Sequence, residues 1–308
     1  MNTWTRTGPV VVEVDGSTDG PRIVGYAARE ALRAGAELVL VAPHHNYSPY
    51  APMMPLCDPQ GPAAAAEEIL RQAVEFVRHS YGDDLEVSTT AREGSRLRAM
   101  QTAGRDARVL VVAREHDSGP AGIVSAQGNL ALAGRTWCPV IVVPAGGTPR
   151  SAESGVVVGI DGTPLSLEAV EFAFRTAAER SVNLTVVHAH HHPYRHLTAD
   201  DGTWQERGAL TVSETLAGWH EEYPEVKVTR LLTTRPVVAA LAHESLQAAL
   251  VVVGAHAGPL PIGDPVARQT IAEMTCPVAI VAHHVTPAEH ARGRRTLSSR
   301  PDVVVPTS

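Results

Sequence analysis

Lysine is almost missing from this chain: among 26 basic residues only Lys227 is a lysine, and the rest are arginines. Acidic residues number 33, so the formal net charge is −7. That balance excludes the basic face expected of a dedicated nucleic-acid binder. Aromatic residues are also scarce, at 4% of 308 residues against 44% hydrophobic. The cores must therefore be built from Val, Leu, Ile and Ala. Only three cysteines occur, Cys57, Cys138 and Cys276, with no CxxC spacing. This excludes a disulfide framework and a cysteine-based zinc site. No apolar run approaches the roughly 18 residues of a membrane span, and no charged-then-apolar leader opens the chain. The expectation is a cytoplasmic protein with neither membrane nor nucleic-acid partners. Several catalytic and binding motifs are missing too. There is no Gly-Lys-Ser/Thr phosphate loop, no GxGxxG, no GxSxG and no HExxH. Asp15-Gly-Ser-Thr-Asp19-Gly20 copies half a calcium loop, but its twelfth position is Tyr26, where the loop needs a glutamate.

What the chain does have, it has twice. Val11-Val12-Glu13-Val14-Asp15-Gly16-Ser17 returns as Val157-Val158-Gly159-Ile160-Asp161-Gly162-Thr163, an offset of 161 − 15 = 146. Trp137-Cys138-Pro139-Val140-Ile141-Val142-Val143 returns as Thr275-Cys276-Pro277-Val278-Ala279-Ile280-Val281, an offset of 276 − 138 = 138. A unit repeated at this period is a duplicated domain. We divide the chain into a first domain at 1–147, a second at 148–283 and a disordered tail at 284–308. The tail rests on Arg292, Arg294, Arg295 and Arg300 among Ser and Pro, without periodicity.

Within each copy, short Val-rich runs alternate with stretches of helical period. The runs predict strands at 10–14, 38–41, 85–88, 109–112 and 140–143, then at 156–160, 184–188, 226–232, 250–253 and 278–281. Helices are predicted at 22–34, 63–81, 96–104 and about 125–134, then at 166–180, 203–222, 237–246 and 266–274. Near-continuous apolar strands joined by helices imply parallel sheets buried on both faces and doubly wound. The fold class is thus α/β: two tandem Rossmann-like domains, each a five-stranded parallel sheet. In such sheets ligands sit beyond the carboxyl ends of the strands. Asp15 and Asp161 fall there, at the end of the first strand of each copy.

Strand–Asp-Gly-Ser/Thr, a central αβ unit, Val-Val-Val-Gly and a closing Cys-Pro-Val together resemble the universal stress protein family over nearly residues 8 to 282. The resemblance implies a tandem member with an adenine nucleotide alpha hydrolase-like fold. It implies a stress-response role, and dimerisation through the last strands, either between the two copies or between subunits. The family contains ATP binders and non-binders. Binders resemble one another in a loop Gly-x-x-Gly-x9-Gly-Ser/Thr after the fourth strand, whose glycines let backbone N–H groups approach phosphate at a helix N-terminus. In the first copy Ala113, His116 and Ala126-Gln127 stand at the patterned positions, and none matches. In the second copy Gly254 matches, Ala257 stands at the second glycine, and Asp264-Pro265 stands at Gly-Ser in a loop about three residues shorter. Proline has no N–H to donate, and Asp264 puts negative charge where phosphate would lie. Asp264 and Pro265 are also an ordinary helix start.

The resulting expectation is a non-enzymatic, stress-response regulatory protein with degenerate nucleotide pockets, acting through a protein partner, with no certain cofactor. Asp15 and Asp161 match the position where the family's binders contact the nucleotide base. The alternative is an adenine-nucleotide sensor holding ATP in the second copy through Asp161, Gly254 and Gly258, with Gly263 shaping a shorter phosphate loop. Slow ATP hydrolysis in that pocket is the third reading. A further candidate is the histidine-rich run after the second strand of copy two. His188 and His190 share a face of an extended segment, and His256 is expected across the crevice. Imidazoles in that arrangement suit zinc, copper or nickel.

Overall fold

The computed structural model describes residues 7–45, 61–114, 120–146, 154–189, 203–256 and 264–283. The Pro-rich segment after residue 45, residues 147–153 between the two copies, His190 with the residues after it, and the C-terminal tail lie outside these. The first copy runs β1 (Val10–Glu13), α1 (Gly20–Ala34), β2 (Leu38–His44), α2 (Gly61–Tyr81), β3 (Val87–Glu93), α3 (Arg96–Ala103), β4 (Val109–Ala113), α4 (Pro120–Ala133) and β5 (Val140–Val143). The second runs β6 (Val156–Ile160), α5 (Pro164–Arg180), β7 (Leu184–Ala189), α6 (Thr203–Thr215), α7 (Trp219–Glu222), β8 (Val228–Thr233), α8 (Val237–Ser245), β9 (Leu250–His256), α9 (Pro265–Glu273) and β10 (Val278–His283).

All strands within a copy are parallel, in the order β3-β2-β1-β4-β5 and β8-β7-β6-β9-β10. The two halves join into one ten-stranded sheet because β5 and β10 pair antiparallel, Val142 against Val278 and Val140 against Ile280. Of the two arrangements open to these last strands, the structure has the intrachain one. The antiparallel seam turns the carboxyl ends of the two half-sheets in opposite directions. Alternating strand residues feed two apolar layers, one per face, and each layer contains residues of both copies. Helices α1 and α5 meet across the seam on one face, and α4 and α9 on the other.

Helix starts and stops follow local chemistry. Pro sits in the first turn of α1, α5 and α9, where a missing N–H costs no hydrogen bond. Helix α1 ends on Gly35 in the left-handed region (φ 57), whose N–H bonds the Ala31 and Leu32 carbonyls. At the equivalent place α5 ends on Ser181 with φ 55. A non-glycine residue carries a penalty there of about 1–2 kcal/mol.

Several element bounds differ from the sequence expectation, β2 for one running on to His44. Strand β3 lies at Val87–Glu93, later than 85–88, because Leu85 is buried ahead of the strand while the strand itself is a partly exposed edge. The helix expected at 203–222 breaks into α6 and α7 at Gly218, which has φ 84. Helix α4 starts at Pro120, about a turn and a half before the expected 125. Strand β9 continues past Val253 to His256, because β10 offers partners as far as His283.

Candidate functional site

Each half-sheet presents a crevice at its switch point, where β1 and β4, or β6 and β9, end side by side. In the first crevice the Asp15 carboxylate accepts a hydrogen bond from the Ser17 N–H at 2.9 Å, closing its own turn. Gly16 has φ +73, and a Cβ there would lie 2.9 Å from Ile69 Cδ1 on α2, so the turn requires glycine. The second crevice repeats this. Asp161 Oδ1 accepts from the Thr163 N–H (2.8 Å), the Thr163 hydroxyl (2.7 Å) and the Ser166 hydroxyl (2.7 Å). Partial burial pushes the Asp161 carboxyl upward, but these hydrogen bonds outweigh it and hold the pKa below the ordinary value. Gly162 has φ +80, and a Cβ would lie 2.4 Å from Thr211 Cγ2 on α6. Both Asp-Gly pairs are thus built into tight turns roofed by the second helix of their copy, α2 and α6.

The mouth of β4 is filled by the protein's own polar groups. Glu13, at the end of β1 with its side chain 8% exposed, receives Arg96 Nε at 2.7 Å. Arg96 Nη2 donates to Asn129 Oδ1 at 2.9 Å, and Asn129 Nδ2 donates to the Ala113 carbonyl at 3.2 Å. Asn129 is only 1% exposed, so the last carbonyl of β4 is satisfied from within. Ala126, at the position of the binders' last glycine, is buried inside α4 well past its first turn. Its N–H is therefore in the helix and not at a helix start. His116 lies outside the described residues.

The second crevice differs from expectation at Gly254. That residue is inside β9, paired with Val281, and does not open a loop. Gly258 and Gly263 lie outside the described residues. At the start of α9, Asp264 Oδ1 accepts from the Ala267 N–H at 3.0 Å, and Pro265 occupies the first turn. An internal carboxylate thus sits on the helix N-terminus, the place an anion would take.

Of the three candidate histidines, only His188 has a described side chain. His188 is buried in β7, with Nδ1 3.1 Å from the Ile160 carbonyl and its ring packed toward Gly208 of α6. His190 lies outside the described residues. His256 ends β9, and β6 runs between β7 and β9, which separates their backbones by about 10 Å. The side chain of His256 lies outside those described. Among the described residues no three His, Cys, Asp or Glu side chains form a metal-binding group, and no helix is long and apolar enough to cross a membrane.

Sequence reasoning missed Arg96, Asn129 and Arg114. The signal present was Glu13, a carboxylate inside a valine run, which calls for a cation from elsewhere in the fold.

Comparison with known proteins adds the lineage. The model of the universal stress protein family matches residues 7–144 and again 155–282. A universal stress protein of Mycolicibacterium smegmatis is 30% identical over 266 residues, covering 80% of this chain and 86% of its own. One from Mycobacterium tuberculosis is 29% identical over 255 residues, with the same 80% and 86% coverage. Among solved structures, a universal stress protein from Archaeoglobus fulgidus superposes with a TM-score of 0.67 at 13% identity, covering 90% of this chain and 97% of that one, a likeness of fold. The double match of the family model, together with these relatives, shows that the chain belongs to the universal stress protein family, with the family unit present twice.

Proposed function

We propose that this protein is a cytoplasmic, non-enzymatic universal stress protein that works as a regulatory binding partner without a bound nucleotide. The observation that carries this reading is the Asp264 carboxylate on the Ala267 N–H at the start of α9. A triphosphate there would displace an internal cap contributing about 1 kcal/mol and would face like charge. The Glu13–Arg96–Asn129 chain supports the same reading for the first copy.

Calorimetric titration of Mg-ATP into the full chain tests it. The expected result is no binding tighter than millimolar, and no phosphate release on prolonged incubation. A dissociation constant tighter than about 10 µM, which needs roughly 7 kcal/mol, overturns the proposal in favour of an adenine-nucleotide sensor. If Asp161→Ala then abolished that binding, the second copy would be the sensor. Measurable phosphate release would make the protein a slow ATPase.

A further inference from the structure

Arg114 is the first residue after β4, at the mouth of the first crevice, yet its guanidinium reaches into the other copy. Its Nη1 donates to the carbonyls of Ile271 (2.8 Å), Ala272 (3.2 Å) and Met274 (2.9 Å), the open C-terminal end of α9. A cation there satisfies orphan carbonyls and opposes the negative end of the helix dipole. The other end of α9, capped by Asp264, forms the rim of the second crevice. Nine residues at about 1.5 Å each make this helix about 14 Å long. It therefore spans from the level of one crevice to the level of the other.

The contacts behind Arg114 extend the connection into the first crevice. Asn129 holds the carbonyl of Ala113, the residue bonded to Arg114, and Arg96 and Glu13 hold Asn129. The Arg114 N–H is itself fixed by the Val143 carbonyl at the end of β5. We infer that Arg114 and α9 form a coupling device, through which the state of the Glu13–Arg96–Asn129 cluster sets the stability of α9 and so of the second crevice's rim. The second copy holds no matching arginine: Gly254 stands where Ala113 does, and Ala255, still within β9, stands where Arg114 does. The link is built from copy one toward copy two. It does not depend on what either crevice binds.

Spatial continuity alone is not coupling, so the test is a double-mutant cycle. Amide hydrogen exchange would be measured across α9 in the full chain, in wild type, Asn129→Ala, Arg114→Gln and the double variant, with α8 as internal reference. Asn129→Ala is expected to speed exchange in α9 by about fivefold to tenfold relative to α8, in the ordinary range of coupling between sites. In the Arg114→Gln background the same change is expected to add less than twofold. Arg96→Gln, at a partly exposed position, provides a gentler perturbation of the same cluster should Asn129→Ala fail to fold. It should give the same pattern at smaller amplitude. Equal acceleration in α8 and α9, additive effects in the cycle, or an α9 indifferent to the first-crevice variants would each overturn the inference.

Discussion

Replacing Arg180 with methionine would measure how far the two copies are one folding unit. Arg180, at the end of α5, reaches across the seam to α1. Its Nη2 lies 3.0 Å from Glu30 Oε2 and 2.7 Å from the Tyr26 hydroxyl, and its side chain is only 5% exposed. Burial pushes the guanidinium pKa down, but Tyr26 and Glu30 more than compensate, and the charge is held firmly. Breaking a buried ion pair by removing one partner costs about 3–5 kcal/mol. Two features place Arg180→Met at the lower end. Glu30 keeps Arg33 at 2.7 Å, and methionine retains most of the apolar stem that packs in the seam. We therefore expect a loss of about 3 kcal/mol, part of which Glu30→Gln in the same chain restores by removing the stranded charge. The assay is urea unfolding followed by far-ultraviolet circular dichroism and by Trp219 fluorescence, read in a background where Trp4, Trp137 and Trp204 are replaced by Phe. Because each apolar layer contains residues of both copies, the two probes should report one transition, shifted together by the substitution. A loss below about 1 kcal/mol, or a Trp219 transition separated from the dichroism transition, would refute the reasoning. It would mean that the halves fold independently.

Other expectations are as concrete. Ser181→Gly should stabilise the protein by about 0.5–1 kcal/mol in the same assay, since it gives α5 the left-handed glycine that α1 already has at Gly35. Gly162→Ala should destabilise by about 2 kcal/mol, from φ +80 and the close approach of Thr211. Cys138 is buried and its thiol is pushed up to about 12 by burial. Together with buried Cys276, it should be alkylated only as fast as the protein unfolds, read by peptide mass mapping. Burial also raises the Glu168 carboxyl above its ordinary range, against the opposing pull of His283 at 3.2 Å. A raised acid contributes stability at low pH that is lost as pH rises through its native value. Glu168→Gln should therefore flatten the decline in stability above the ordinary carboxylate range. An unchanged slope would exclude this group as its source.

Much of the architecture was legible because it rests on local pattern. Parallel strands buried on both faces leave valine runs that nothing else mimics, and β5 and β6 fall where those runs lie. The edge strand β3 was misplaced for the complementary reason: its Ser, Thr and Arg residues are half exposed, so no apolar run marks it. The helical period runs through Gly218, but its positive φ breaks α6 from α7. The apolar run of β9 ends at Val253, ahead of Gly254, whereas pairing with β10 carries the strand on to His256. The self-capped start of α9 was readable from Asp264-Pro265. The Glu13–Arg96–Asn129 cluster was not: its members are separated by 83 and 33 residues, and no local motif announces contacts made only by the completed fold.

The reversed seam between β5 and β10 has a consequence for valency. Two like halves joined head to head hold their openings at opposite poles of the molecule, so a single small partner cannot cover both. A protein that recognised one pole would meet a diverged version of the same shape at the other, and could be gathered in pairs. Duplication within one polypeptide makes that bridging geometry permanent, independent of concentration and of any encounter between subunits.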